Sequence, residues 1–178
     1  MEEPKTNTLE NCNFIKSITL RDGLTEIGKL AFCYCRNLET AVIPDSVTKI
    51  GPGAFSKSGL KSIILPDGLT EIGRNAFYEC RNLETIVIPE TVTKIGPGAF
   101  SFSGLKSIIL PDGLTEIGRN AFYECRNLET IIIPNSVTKI GLDAFTDSGL
   151  KSIILSHGVK IGEDVFHNCR NLTVEYKN

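Results

Sequence analysis

Six cysteines and two histidines are the residues best suited to chemistry in this 178-residue chain. Five of the cysteines, Cys12, Cys35, Cys80, Cys125 and Cys169, follow one another at 23, 45, 45 and 44 residues. An even cysteine count suggests a disulfide framework, and Cys33-x-Cys35 invites a redox or zinc reading. Zinc would need a second ligand pair at comparable spacing, and the sequence offers none. His157 and His167 lie far from Cys33 in sequence, ten residues apart, with no Asp, Glu or Ser cluster beside them to complete a triad or a metal site. They read as surface histidines. The glycines recur at turn positions throughout, whereas a phosphate-cradling loop would occur once. The sequence therefore assigns no catalytic residue, no metal ligand and no cofactor, and an enzyme is not expected.

Composition narrows the classes further. Lys plus Arg is 19 against 21 Asp plus Glu, a net charge of −2, which removes the electrostatic reason to expect nucleic acid or an anionic membrane as partner. Hydrophobic residues make up 41%, too many for a disordered chain, and the length suits one domain. No run of 18 apolar residues occurs, so no membrane-inserted helix is expected. Met1 to Phe14 lacks the basic and apolar regions of a signal peptide, so no targeting signal is read.

What must position every side chain is a repeat. Leu60 to Gly104 and Leu105 to Gly149 are identical at 38 of 45 positions, and each block is itself two similar units. Leu38, Leu60, Leu83, Leu105, Leu128, Leu150 and Leu172 step by 22 or 23 residues. Within a unit, Leu60-Lys61-Ser62-Ile63-Ile64-Leu65 alternates and is β-branched, predicting a strand with Ile63 and Leu65 inward. Pro66 ends the pairing, Asp67-Gly68 turns the chain, Leu69 and Ile72 return to the core, and Gly73 permits a bend before Ala76 and Phe77 pack inside. That is one coil of a solenoid. A single coil cannot bury its apolar face, so stacking must supply the core. The expected layout is residues 1–14 as an N-terminal cap, 15–171 as seven repeats of 22 to 23 residues, and 172–178 as a closing half-coil.

Surface chemistry in a solenoid runs down columns, because equivalent residues on neighbouring strands lie about 4.8 Å apart. Lys16, Glu39, Lys61, Glu84, Lys106, Glu129 and Lys151 alternate in sign, so each charge is expected to face opposite charges on both neighbouring coils. Glu26, Lys49, Glu71, Lys94, Glu116 and Lys139 alternate in the opposite phase. Ser17, Thr40, Ser62, Thr85, Ser107, Thr130 and Ser152 form a hydroxyl column. Alternation places Thr19, Val42, Ile64, Val87, Ile109, Ile132 and Ile154 on the outer face, an aliphatic stripe roughly 29 Å long. A contiguous apolar row of this kind marks an interaction surface. The candidate protein-binding face is thus Ile64, Val87, Ile109, Ile132 and Ile154, flanked by Thr85, Thr130, Lys61, Glu84, Lys106 and Glu129. Cysteines two coils apart are about 9.6 Å apart, too far for a disulfide, so buried free thiols are expected from Cys35 onward. Cys12 and Cys35 are one coil apart, and a bridge there stays open. Lys57, Phe102 and Asp147, each three residues before a strand-opening leucine, are read as filling the cysteine column in alternate units.

The unit of Leu-x-x-Ile-x-Leu/Ile-Pro, then Val/Leu-Thr-x-Ile-Gly, then Ala-Phe, running from Ile15 to Leu172, resembles the BspA-like leucine-rich repeats. That resemblance implies a mostly β, right-handed leucine-rich-repeat coil with a parallel sheet on one face and turns or short strands opposite. It also implies a cell-surface or secreted setting, in bacteria or protists, and a protein ligand such as a host or extracellular matrix protein. The expected function is a non-enzymatic protein-interaction module acting in adhesion or ligand binding. The alternative is a structural spacer or self-associating scaffold, a homodimer through the stripe.

Overall fold

A computed structural model describes residues 12–177. The remainder of the expected N-terminal cap, 1–11, and the last residue of the closing half-coil lie outside them. The described chain is a mostly β parallel solenoid of about seven turns with two sheet faces. One face carries β1 (Ser17–Thr19), β3 (Thr40–Val42), β5 (Ser62–Ile64), β7 (Thr85–Val87), β9 (Ser107–Ile109), β11 (Thr130–Ile132), β13 (Ser152–Ser156) and β15 (Thr173–Lys177). The other carries two-residue strands: β2 (Glu26–Ile27), β4 (Lys49–Ile50), β6 (Glu71–Ile72), β8 (Lys94–Ile95), β10 (Glu116–Ile117), β12 (Lys139–Ile140) and β14 (Lys160–Ile161).

Each coil follows from its residues. In the third coil Ile63 and Leu65 point inward from β5, and the proline-led turn closes with Leu69 N–H donating to the Pro66 carbonyl at 3.0 Å. Thr70 N–H then donates to the Thr48 carbonyl of the preceding coil, and Thr93, Thr115 and Thr138 continue the same threonine ladder. Ala76 and Phe77 complete the coil with no exposed surface, and Phe77 N–H reaches forward to Ala99 of the next coil. Phe32, Phe55, Phe77, Phe100, Phe122, Phe145 and Phe166 stack in one file, with ring centroids 5.2–5.9 Å apart.

The two faces are not equally continuous. The short strands form an unbroken seven-stranded parallel sheet, whereas the longer strands fall into ladders β1-β3-β5, β7-β9 and β11-β13-β15. Both breaks fall at long coils, before β7 and before β11. Phe100 to Leu105 is one residue shorter than Phe77 to Leu83. In the short coil Gly104 N–H donates back to Cys80 at 3.2 Å and Lys106 N–H to Glu84 at 2.8 Å, leading into the β7-β9 ladder. In the longer coil Arg81 and Leu83 N–H donate within their own turn, to Glu79 and Cys80, and no ladder joins β5 to β7 among the described residues. At the two ends of the solenoid the same long step, Phe32 to Leu38 and Phe166 to Leu172, is bridged by the β1-β3 and β13-β15 pairings.

Cys12 and Cys35 form a disulfide with Cα atoms 5.1 Å apart, so Cys35 is not a free thiol. The bridge closes a loop of 23 residues across the first coil. Replacing Cys12 with Ser is expected to lower unfolding free energy by about 3 kcal/mol through restored loop entropy. Guanidinium titration read by circular dichroism checks it, and an unchanged midpoint would show that the first coil holds without its bridge.

Candidate functional site

The outer face of the longer strands presents the aliphatic stripe in register: Thr19 opposite Val42, Val42 opposite Ile64, Val87 opposite Ile109, and Ile132 opposite Ile154. Val42, Ile64, Val87, Ile109 and Ile132 are 54–80% exposed, while their neighbours Ile63, Ile86, Ile108 and Ile131 are buried. Ile154 differs from the expectation and is half-buried. β13 pairs with β11 and, over five residues, with β15, whose Glu175 lies opposite Ile154. Pairing on both sides does not by itself cover this position, since β3 is also bonded on both and its Val42 is 54% exposed. Glu175 and Thr19 give the stripe polar ends.

Thr85, Thr130 and the rest of the hydroxyl column are exposed or partly exposed beside it. The charge column does not pair on both sides as its alternation suggests. Its ion pairs are Lys61–Glu39 at 2.9 Å, Lys106–Glu84 at 2.8 Å and Lys151–Glu129 at 2.6 Å, one within each ladder. The ladder breaks lie between Lys61 and Glu84 and between Lys106 and Glu129, whereas Lys16 and Glu39 flank the bonded pair β1-β3. The Lys61 ammonium, by hydrogen bond and charge, holds the Glu39 carboxyl below its ordinary range. On the opposite face Glu116 is gripped by Lys139 at 2.9 Å and Lys94 at 3.6 Å and is likewise held low. That column ends with Lys139 beside Lys160, two like charges.

The cysteine column also needs correction. Lys57, Phe102 and Asp147 do not enter it. Ser58, Ser103 and Ser148 alternate there with Cys80, Cys125 and Cys169, each thiol donating to the phenylalanine carbonyl of the preceding coil at 3.1 Å. Burial pushes the Cys80 and Cys125 thiols up to about 12, so both stay protonated and unreactive at neutral pH. The residue deleted from the short coils lies after the serine, and the five-residue step from Phe to Leu could have revealed this. Cys33 is a partly exposed free thiol.

Lys57, Phe102 and Asp147 instead belong to a lateral column with Tyr34, Glu79, Glu124 and Asn168, all left-handed with φ of 53–62°. Each of the first six donates its N–H to the next coil, at 2.7–2.9 Å, which offsets the strain of that backbone region. This edge carries most of the asymmetry between doublets. Phe102 lies edge-on between Tyr78 and Tyr123, and Lys57 sits over the Tyr34 and Tyr78 rings while pairing with Glu79 at 3.4 Å. Phe102 is neither core nor fully free. A cavity of about 460 Å³ beside it is lined by Arg81, Gly104, Glu124 and Arg126, and another of about 760 Å³ lies at the first coil, lined by Leu20, Leu24, Ile27 and Phe32.

His157 stacks on Tyr176 at the C-terminal end, and His167 occupies the tyrosine column at the lateral edge. Among the described residues no group of three or more His, Cys, Asp or Glu is placed to hold a metal, and no helix is long and apolar enough to cross a membrane.

Stacked 22- to 23-residue coils with leucine and isoleucine files inside define a leucine-rich-repeat solenoid. Matches to the BspA type leucine rich repeat region, in six copies, cover residues 2–111 and 48–173, and the chain belongs to that family. It is similar to a T. pallidum leucine rich repeat protein, with 32% identity and a TM-score of 0.78 over 89% of this chain and 78% of that one. It is also similar to a leucine-rich repeat protein from Bacteroides ovatus, with 29% identity and a TM-score of 0.67 over 94% of this chain. The chain spans 56% of the length of the Bacteroides protein. No curated protein sequence matches it.

Proposed function

We propose that the chain is a non-enzymatic protein-interaction module whose contact surface is the outer face of the longer strands, acting at a cell surface in adhesion or ligand binding. The observation that carries this is the row of five exposed aliphatic side chains, Val42 to Ile132, held at strand spacing on a rigid scaffold. Water-exposed apolar area of this continuity is stabilised by being covered, and the flanking hydroxyls and ion pairs supply a polar rim. Membership of a leucine-rich-repeat family supports the protein-interaction part of the reading. The Cys12–Cys35 bridge supports an oxidising compartment, where disulfides persist.

The test is adhesion to immobilised host and extracellular matrix proteins by the chain and by its Ile109→Lys variant. Ile109 is solvent-facing, so the melting temperature should hold, while burying a lysine in the contact should weaken binding about thirtyfold or more. Binding that is unchanged by Ile109→Lys would place the contact elsewhere on the molecule.

A further inference from the structure

We infer that the outer sheet face is covered by a second copy of this chain, related by a two-fold axis that runs parallel to the strands and passes between β7 and β9. This rests on the reading of that face as a protein-binding surface and names its occupant. The axis reverses the order of coils in the partner, so β7 meets the partner's β9, β5 its β11, β3 its β13 and β1 its β15.

Three patterns are self-complementary about this axis: the ladders and the polar ends of the stripe about no neighbouring one, and the alternating charges about any axis that passes between two strands. The ladders, of three, two and three strands, map onto themselves under the reversal. The stripe also maps onto itself. Val42, Ile64 and Val87 meet the partner's Ile154, Ile132 and Ile109, and the polar ends Thr19 and Glu175 meet each other. The charge column does the same with sign. Glu39 faces the partner's Lys151, Lys61 faces the partner's Glu129, and Glu84 faces the partner's Lys106. Shifting the axis by half a coil spacing, onto a strand, would set Lys61 over the partner's Lys106 and Glu84 over its own copy. Alternating charge makes that slip repulsive and confines the axis to the gaps between strands, and the ladders with the polar ends of the stripe select the gap between β7 and β9.

The charges remain available for such contacts. The side chains of Glu39, Lys61, Glu84, Lys106, Glu129 and Lys151 are 42–64% exposed despite their pairing within the chain. Eight strands at about 4.8 Å spacing give a face roughly 34 Å long but only about three residues wide. That footprint lies at the low end for specific interfaces, so the dimer should be concentration-dependent in the micromolar range.

Sedimentation velocity over a concentration series tests this with single-sign variants. One carries Lys61→Glu, Lys106→Glu and Lys151→Glu, the other Glu39→Lys, Glu84→Lys and Glu129→Lys. The unaltered chain should dimerise, each variant alone should dimerise at least about tenfold more weakly, and an equimolar mixture of the two should regain a dimer. Recovery on mixing cannot come from contacts within one chain. Thermal melts of both variants establish that they are folded. A monomer at all concentrations for the unaltered chain would overturn the second copy as occupant, while the adhesion test with Ile109→Lys decides the face itself. A dimer that survives Ile109→Lys would place the contact elsewhere. A dimer abolished by Ile109→Lys but kept by each single-sign variant would overturn the two-fold register.

Discussion

Phe100→Ala is expected to cost about 3–5 kcal/mol of unfolding free energy, with the transition in denaturant broadening or splitting in two. Phe100 is fully buried in the middle of the phenylalanine file, 5.4 Å from Phe77 and 5.5 Å from Phe122, in near-parallel stacks. Removing the ring leaves a void bounded by both neighbours, and rigid coils above and below restrict collapse into it. The architecture amplifies the loss. Each coil touches only the coils beside it, so cooperativity passes through nearest-neighbour interfaces, and this substitution weakens two adjacent ones. Phe166, at the far end of the file, is half-buried and stacks only on Phe145, at 5.9 Å. Phe166→Ala should therefore cost less than half as much and leave a single transition. Guanidinium unfolding followed by far-ultraviolet circular dichroism separates the cases, and equal losses at the two positions would mean that the file does not couple the coils.

The side-chain periodicity made most of the fold readable. Leu60, Ile63, Leu65, Leu69, Ile72 and Phe77 are all in the core where their spacing puts them, and Ile64 is outside. A solenoid repeats each environment seven times, so one unit's pattern is checked by its neighbours. The backbone's hydrogen-bond destinations carry no such signature. Nothing in the residue types shows why the ladder breaks before β7 and β11 and continues from β1 to β3, where the Arg36 and Leu38 N–H groups donate within their own turn just as those of Arg81 and Leu83 do. The half-burial of Ile154 has no signature in its residue type, which matches that of the exposed Ile109. The placement of Ser58 with the cysteines was legible in principle from the shortened step between Phe55 and Leu60, but counting back from the leucine hides it. The stripe was legible because alternation needs only the strand. The proposed occupant was not, because it rests on the sign pattern of seven coils taken together with ladder breaks that no residue type announces.

Gly104→Ala is the substitution expected to damage the outer sheet face most while changing least chemically. Gly104 has no left-handed backbone to protect, so torsional preference is not the issue. A Cβ there would overlap the Arg81 carbonyl oxygen and stand 2.9 Å from its carbonyl carbon, and Gly59 and Gly149 meet Arg36 and Arg126 in the same way. The obstacle is backbone, and it cannot rotate aside as a side chain would. Relief requires the short coil to lift from the one before it, stretching the Gly104 N–H bond to Cys80 and the β7-β9 ladder that follows. The expected loss is about 3 kcal/mol, at the upper end for overpacking by one methyl group. Gly113→Ala provides the contrast, because its Cβ would meet only the Glu90 carbonyl oxygen, at 3.3 Å, and should cost less than about 1 kcal/mol. Thermal and chemical unfolding of the two variants measure the difference. Hydrogen exchange at Lys106 and Ser107 should accelerate in Gly104→Ala alone, since those amides are bonded to Glu84 across the contact that the methyl group opens. Equal stability of the two variants, with unchanged exchange at Lys106, would show that the close approach at Gly104 is not what joins the coils of the doublet.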